Sequence, residues 1–520
     1  MEQPAYDARP AARQPTLPAP VILGAGMVTL ETVHRVAHGR APVRLHPDAH
    51  AAIAASHATF LKFQRGSESV YGLMTGVGAL LDCTVPVERR SELQHNIVRS
   101  HAAGVGDELS EAAVRAIVFQ MTNSLARGLS GVRPALLERL LLFLNRGVHP
   151  VVPSQGSVGS SGDLVPHAHV GLPLIGEGTV RFRGRRLSAR EMLRELGLHA
   201  LQLEGREGLA LVNGTHATAA LGALACREAL RLMRAADMIS GMTLDAAGAS
   251  RQPFHSLHGR AKPSWAQDES RRMVRAMTSE SEIGTLPGPL QDSYALRCVP
   301  QVHGAVREAL GFSVATVERE LNAVTDNPLV FAAEEQILSG GAFHGEGLAF
   351  ALDFAAMGLA ELAAISERRL DWLLTGKRGL PRFLAADPGV QSGMMIPQYT
   401  VAAILTETRI LAAPAVLHSI PLSAGQEDHV SMAGQSVRKL GTVVTNVEQI
   451  LAIELLAAAQ ALDFRRPRQG GQGTRAAHAL LRRHLPHQAD DQPLQPALEH
   501  ALALLRSSAF DDLHDQLTAS

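Results

Sequence analysis

The heptapeptide GSVGSSG at Gly156–Gly162, running directly into Asp163 and Leu164, has the residue types from which a chain can build its own electrophile. When the Gly162 amide nitrogen attacks the Ser160 carbonyl and Ser161 loses its hydroxyl as water, the product is a methylidene-imidazolone ring. Glycine in third place offers an unhindered amide and backbone angles closed to other residues. Gly156 and Gly159 permit the bend that presses nitrogen on carbonyl. Serine in second place supplies the hydroxyl that leaves, and Ser160 donates only its carbonyl. Taken alone, the heptapeptide fits a plain turn or an anion-holding nest equally well, and Asp163 before LVPHAHVGLPLIG also reads as a helix start.

Further motifs follow in a fixed order. They are YGLMTGVG at Tyr71–Gly78, SHAAG at Ser100–Gly104, EGLALVNGT ending at Thr215, QDSYALRCVPQ from Gln291 and ELNAVTDNPLVF from Glu320. After them come SGGAFHGE from Ser339, SERRLD from Ser366, SGMMIPQYT from Ser392 and QEDHVSM from Gln426. Together with GSVGSSGDLVPHAH, and over a span from about Val21 to Thr474, they resemble the histidine and aromatic amino acid ammonia-lyase family, most nearly its histidine enzymes.

That resemblance implies a methylidene-imidazolone formed autocatalytically from Ser160, Ser161 and Gly162, with no external cofactor. It makes Tyr71 the base for the β-proton, a role that needs a lowered phenol pKa. Arg297 would grip the substrate carboxylate with Gln291 assisting, and Tyr294 lies three residues before it, on the same face of a helix. Asn213 would add an amide donor near the carboxylate or amine. His101, Phe343 and Glu427 are the remaining substrate-binding candidates. Each has a plainer alternative: a half-buried tyrosine for Tyr71, a salt bridge with Asp292 for Arg297, an arginine or His429 partner for Glu427, and a hydrogen-bonded core histidine for His101.

His101 and Glu427 match the histidine version of these motifs. A carboxylate can accept an imidazole N–H and would stand unpaired against a phenyl ring. The expected reaction is therefore conversion of L-histidine to urocanate, the alternatives being a tyrosine or phenylalanine ammonia-lyase or an aromatic amino acid 2,3-aminomutase. A non-catalytic helical scaffold conflicts with the retained catalytic set. Met74, Val77, Ser160, His167, His216 and Ala342 depart from the family pattern, most of them near the expected pocket.

The elements that must position these residues follow from periodicity. Helical spacing dominates Ala217–Met242, Val306–Leu321, Gly345–Leu374, Ile396–Ala412 and Gln435–Phe464. The expected fold is mainly α: a disordered tail over 1–20, a mixed α+β region over 21–207 carrying the electrophile loop, a long helical bundle over 208–470, and a helical segment over 471–520. The resemblance adds the aspartase/fumarase-like superfamily and a homotetramer whose active sites are lined by several chains. The strand-like piece Thr179–Phe182 belongs to the mixed region.

With 46% apolar residues, 4% aromatic and a net charge of -1, the 520-residue chain lacks the basic or base-stacking surfaces that nucleic acid requires. The chargeless run Gly208–Cys226 is long enough for a membrane span, but Asn213, Gly214, Thr215 and His216 favour a buried helix. Cys83, Cys226 and Cys298 suggest neither a disulfide framework nor a thiolate site, so a reducing, cytoplasmic setting is the default. The prolines and charges of the first twenty residues do not form a signal peptide. His167 and His169 lack a third ligand, and no metal site is expected. GxxxxGK[ST], HExxH and a full dinucleotide fingerprint are missing.

Overall fold

The computed structural model describes residues 18–65 and 71–519, so most of the expected N-terminal tail lies outside the described residues. Thr179–Phe182 is a strand, antiparallel to both Val148–Pro150 and Arg185–Ser188. Pro153–Gln155 pairs antiparallel with Val105–Glu108 and delivers the chain into the electrophile loop. These short strands lie among helices that include Arg90–His101, Glu111–Leu125 and Leu164–Gly171.

The five helical stretches form helices His216–Ala246, Val299–Leu321, Glu346–Leu374, Met395–Leu411 and Ala433–Asp463, which pack on one another as a bundle. Two of them, Glu346–Leu374 and Ala433–Asp463, are long and apolar enough to cross a membrane, yet 67% and 78% of their most apolar windows are buried inside the protein, as core helices require. The run Gly208–Cys226 does not make one continuous helix. It breaks at Asn213-Gly214-Thr215 into Glu207–Val212 and the start of His216–Ala246. Gly214 there adopts φ +97°, a left-handed conformation that stops a helix.

The bundle interior is mainly apolar, and among its buried charged groups one network joins several helices. Arg369 and Glu454, both fully buried, form a bidentate pair at 2.6 and 2.8 Å. Glu454 also accepts from Ser366 Oγ at 2.5 Å and Thr243 Oγ1 at 2.8 Å, joining three helices at one carboxylate. With every lone pair engaged the pair is tolerated in the interior, and its geometry fixes the mutual register of those helices.

The helices Gln472–Arg482, Gln495–Arg506 and Ser508–Ala519 close the chain. Asp463, at the end of the last bundle helix, gathers His478 at 3.0 Å, Arg482 at 2.7 Å and His487 at 3.2 Å. Burial alone would raise its carboxyl, but His478 and Arg482 outweigh burial and hold it down at about 2, below its ordinary 3.8. A depressed carboxyl stabilises the fold above its unfolded pKa and stops doing so as pH falls through the folded one. Discounted for solvent screening, the contribution is roughly 1 to 2 kcal/mol. The thermal midpoint of Asp463→Asn should therefore lie below that of the wild type at neutral pH and converge with it as the pH falls from about 4 to about 2. A constant gap over that window would deny the role.

Candidate active site

The electrophile loop is clamped on both edges. Met432 N–H donates to Val158 O at 2.9 Å and Ser431 Oγ to Gly159 O at 3.0 Å. Gly214 N–H donates to Ser161 O at 3.1 Å, and Asp163 N–H returns a bond to Gly214 O at 2.7 Å. The Asp163 carboxylate accepts from Ser157 Oγ at 2.9 Å and from Thr218 N and Oγ1 at 2.7 Å each. Gly162 sits at φ +80°, and a Cβ on it would fall 1.9 Å from Gly214 O, so no other residue fits. Among the described residues, Ser160 O and Gly162 N make no hydrogen bond. The two groups that ring closure would join are free of hydrogen bonds while their neighbours are held.

Beside the loop lies a cavity of about 720 Å³, lined by Tyr71, His101, Ser160, Ser161, Asn213, Phe343 and Glu427. Seven of the expected site residues thus meet although they come from segments spread over the whole chain. The turn carrying Tyr71 is tied to the hairpin carrying Glu427: Ala79 N–H donates to Ser423 Oγ at 3.1 Å, and Leu422 and Glu427 exchange backbone hydrogen bonds at 2.8 and 3.2 Å. Glu427 Oε1 accepts from Ser161 Oγ at 3.4 Å. Among the described residues no arginine of the same chain, nor His429, forms an ion pair with Glu427. His101 ends the Arg90–His101 helix, where its Nδ1 lies 2.7 Å from Ile97 O. That contact fixes Nδ1 as the protonated nitrogen and leaves Nε2 as an acceptor.

Two expectations about this set need correcting. Asn213 was expected to offer an amide donor, but Nδ2 already donates to Asn327 O at 3.0 Å and Asp326 Oδ1 at 3.4 Å. What it offers is Oδ1, which is buried and has no partner. Asp326, anchored by Arg206 at 2.6 and 2.7 Å, fixes that orientation. Tyr71 was expected to have a lowered phenol pKa. Burial instead pushes it above its ordinary 10, the Glu427 charge adds to this, and the Gly78 N–H that donates to Oη at 2.8 Å opposes it without winning.

Gln291, Tyr294 and Arg297 do not line the cavity. Gln291 is exposed, Tyr294 is 71% exposed on the short Tyr294–Arg297 helix, and the Arg297 guanidinium lies over the Tyr294 ring at 4.9 Å. The proposed Asp292–Arg297 salt bridge is not formed, because Asp292 is taken by Arg378 and by Ser250 N–H at 2.8 Å.

Residues 28–483 match the family model described as aromatic amino acid lyase. The chain belongs to that family. It is 44% identical to the histidine ammonia-lyase of Symbiobacterium thermophilum over 488 residues, covering 93% of this chain and 96% of that protein. It superposes on the crystal structure of histidine ammonia-lyase from Trypanosoma cruzi with a TM-score of 0.89 at 36% identity, covering 96% and 95% of the two chains. It superposes on tyrosine aminomutase from Streptomyces globisporus with a TM-score of 0.89 at 35% identity, covering 96% and 98%.

The lyase cavity also includes residues to which the sequence assigned no site role: Asn327, Gln426, His344, and His429, considered there only as a partner for Glu427. All four lie inside motifs already noticed, so motif membership was the available signal. Asn327 Oδ1 accepts from Gly340 N–H at 2.8 Å and so holds the Ser339–Gly341 wall. Of the departures from the family pattern, Val77 and Ser160 line the cavity. Met74 instead packs against the small Phe60, Leu73 and Val330 cluster, Ala342 is exposed, and His167 and His216 stack at 5.0 Å in the interior.

Proposed function

We propose that this lyase eliminates ammonia from L-histidine to give urocanate. The observation that carries the reading is Glu427: a carboxylate facing the cavity beside Ser161, with no cation of its own, is a partner for an imidazole N–H and a poor neighbour for phenyl. The histidine ammonia-lyase relatives support it.

The chemistry supplied by a methylidene-imidazolone formed from Ser160, Ser161 and Gly162 is that of an electron-poor carbon, which makes an amine a better leaving group. The chain's own residues bind, orient and move the proton. Asn213 Oδ1 accepts an N–H from the substrate ammonium. His101 Nε2 and Glu427 bracket the imidazole, Phe343 forms the apolar wall, and Tyr71 Oη takes the β-proton.

We infer that a homotetramer completes the site, with Gln291, Tyr294 and Arg297 reaching the cavity of a neighbouring copy. Their exposure supports this, as does the apolar surface around them and along the bundle: Leu290 at 99% exposed, with Phe312, Phe354 and Ile410 also uncovered. A neighbouring Arg297 would also bring the cation that Tyr71 lacks within one chain. The three unpaired cysteines agree with a cytoplasmic setting.

The near-ultraviolet absorbance of the purified enzyme with L-histidine tests the reading, since a conjugated acrylate absorbs where the substrate does not. A flat trace with histidine and a rise with tyrosine or phenylalanine would overturn the assignment. A β-amino acid among the products would favour the aminomutase chemistry that the similarity to tyrosine aminomutase keeps open. Glu427→Gln should lower kcat/KM for histidine by roughly ten- to a hundredfold, the cost of about 1.4 to 3 kcal/mol when a charge-assisted hydrogen bond is weakened, with little effect on slow turnover of phenylalanine. Equal losses on both substrates would mean that Glu427 does not read the imidazole.

A further inference from the structure

The electrophile loop has a second face. Ser160 and Ser161 line the cavity already described, whereas Ser157 and Asp163 line another of about 380 Å³, and among the described residues the two cavities share no wall. We propose that this rear cavity is a binding site for a medium-chain carboxylate, its apolar chain lying between two bundle helices and its carboxylate on Arg438.

The long walls are apolar. Leu221 and Leu224 of His216–Ala246 face Val437 and Val444 of Ala433–Asp463, and Leu221, Leu224 and Val444 are only partly buried although their helices form the core. A Cβ on Gly441 would meet no atom within 4 Å, so the wall is open there. Farther along, the helix Gln495–Arg506 is tied to both bundle helices: Arg506 pairs with Glu448 at 2.6 Å and Arg231 donates to Leu505 O. The groove is thus filled at one end by the chain's own C-terminal region and left empty beside the loop. Covering its side chains with an apolar ligand is favourable, and the volume is that of a small-molecule pocket. Thr218 to Glu228 spans about 15 Å of helix, close to the length of an extended decanoate.

Charge selects the head group. Asp163 accepts from Ser157 Oγ and from Thr218 N and Oγ1, at the positive end of the helix that starts at His216. Glu228 is held by Arg231 at 2.8 Å and Arg227 at 3.1 Å. Arg438 donates to Gln435 Oε1 at 3.1 Å, and among the described residues no carboxylate pairs with it. The unbalanced charge on the lining is therefore positive, and a guanidinium grips a carboxylate through two parallel hydrogen bonds. The site does not depend on which amino acid is the substrate.

Calorimetric titration of the full chain with sodium decanoate tests the proposal. The expected result is one decanoate per chain, with affinity falling at least tenfold in Arg438→Gln and in Gly441→Phe, and unchanged in Phe343→Ala on the other cavity. Gly441→Phe fills the open space and replaces a poor helix former, so it should fold. Circular dichroism and elution volume check all three variants. No binding at millimolar decanoate, or an unchanged affinity in either Arg438→Gln or Gly441→Phe, would overturn the proposal. So would a lost affinity in Phe343→Ala, which would move the ligand to the other cavity. A smaller assembly in Gly441→Phe would also overturn it, by making a second copy of the chain the occupant of the groove.

Discussion

Ser161→Ala gives a folded protein without turnover. The Ser161 hydroxyl is the group that must leave as water for the methylidene to form, and alanine has nothing to lose. The same hydroxyl contributes little to the fold: its contact is the 3.4 Å approach to Glu427 Oε1, at the long limit of a hydrogen bond. Stability should therefore change by about 0.5 kcal/mol or less. Activity should fall by roughly a thousandfold or more, the scale lost when a reacting group is deleted. Intact mass provides an independent check, because ring closure and serine dehydration remove two water molecules from the wild type and at most one from the variant. A variant that turns over histidine, or a wild type with its full unmodified mass, would remove the electrophile from the mechanism.

Tyr71→Phe should lower kcat by about 10² to 10⁴ while KM moves little, since the ring stays and only the proton acceptor goes. The direction of the pH dependence follows from the environment of the phenol. Burial and the neighbouring Glu427 charge hold Tyr71 above its ordinary value in a single chain. A base works deprotonated, so kcat/KM should climb with pH until the phenol ionises, and this acid limb should vanish in Tyr71→Phe. A limb that survives unchanged would assign the base to another residue. If assembly supplies a cation near Tyr71, the limb of the intact enzyme will lie at lower pH than the single-chain environment dictates. Arg297→Gln should then move it upward.

The helices were legible because apolar periodicity over two dozen residues is a strong signal. Glu346–Leu374 and Ala433–Asp463 start within two residues of where the pattern places them. The break at Asn213-Gly214-Thr215 was harder to see, because the apolar run continues through it. Only the partnership with Ser161 and Asp163, some fifty residues upstream, makes the interruption necessary. In the site, Tyr71, His101, Asn213, Phe343 and Glu427, picked out by motif membership, all line one cavity. Hydrogen-bond direction was not legible. Whether Asn213 shows its donor or its acceptor depends on Asp326 and Asn327, more than a hundred positions away. Gln291, Tyr294 and Arg297 show a further limit, since the residues of a motif need not line the cavity of their own chain.

The clamp on the electrophile loop has a consequence for when the reactive group can arise. Gly214, which fills the space against Gly162, and Ser431, which holds Gly159 from 272 positions away, are both made after the loop. A chain still leaving the ribosome lacks the contacts that hold these peptides in place. The electrophile proposed for this loop would thus arise last, and a copy that fails to fold would carry no warhead able to alkylate the thiols and amines around it.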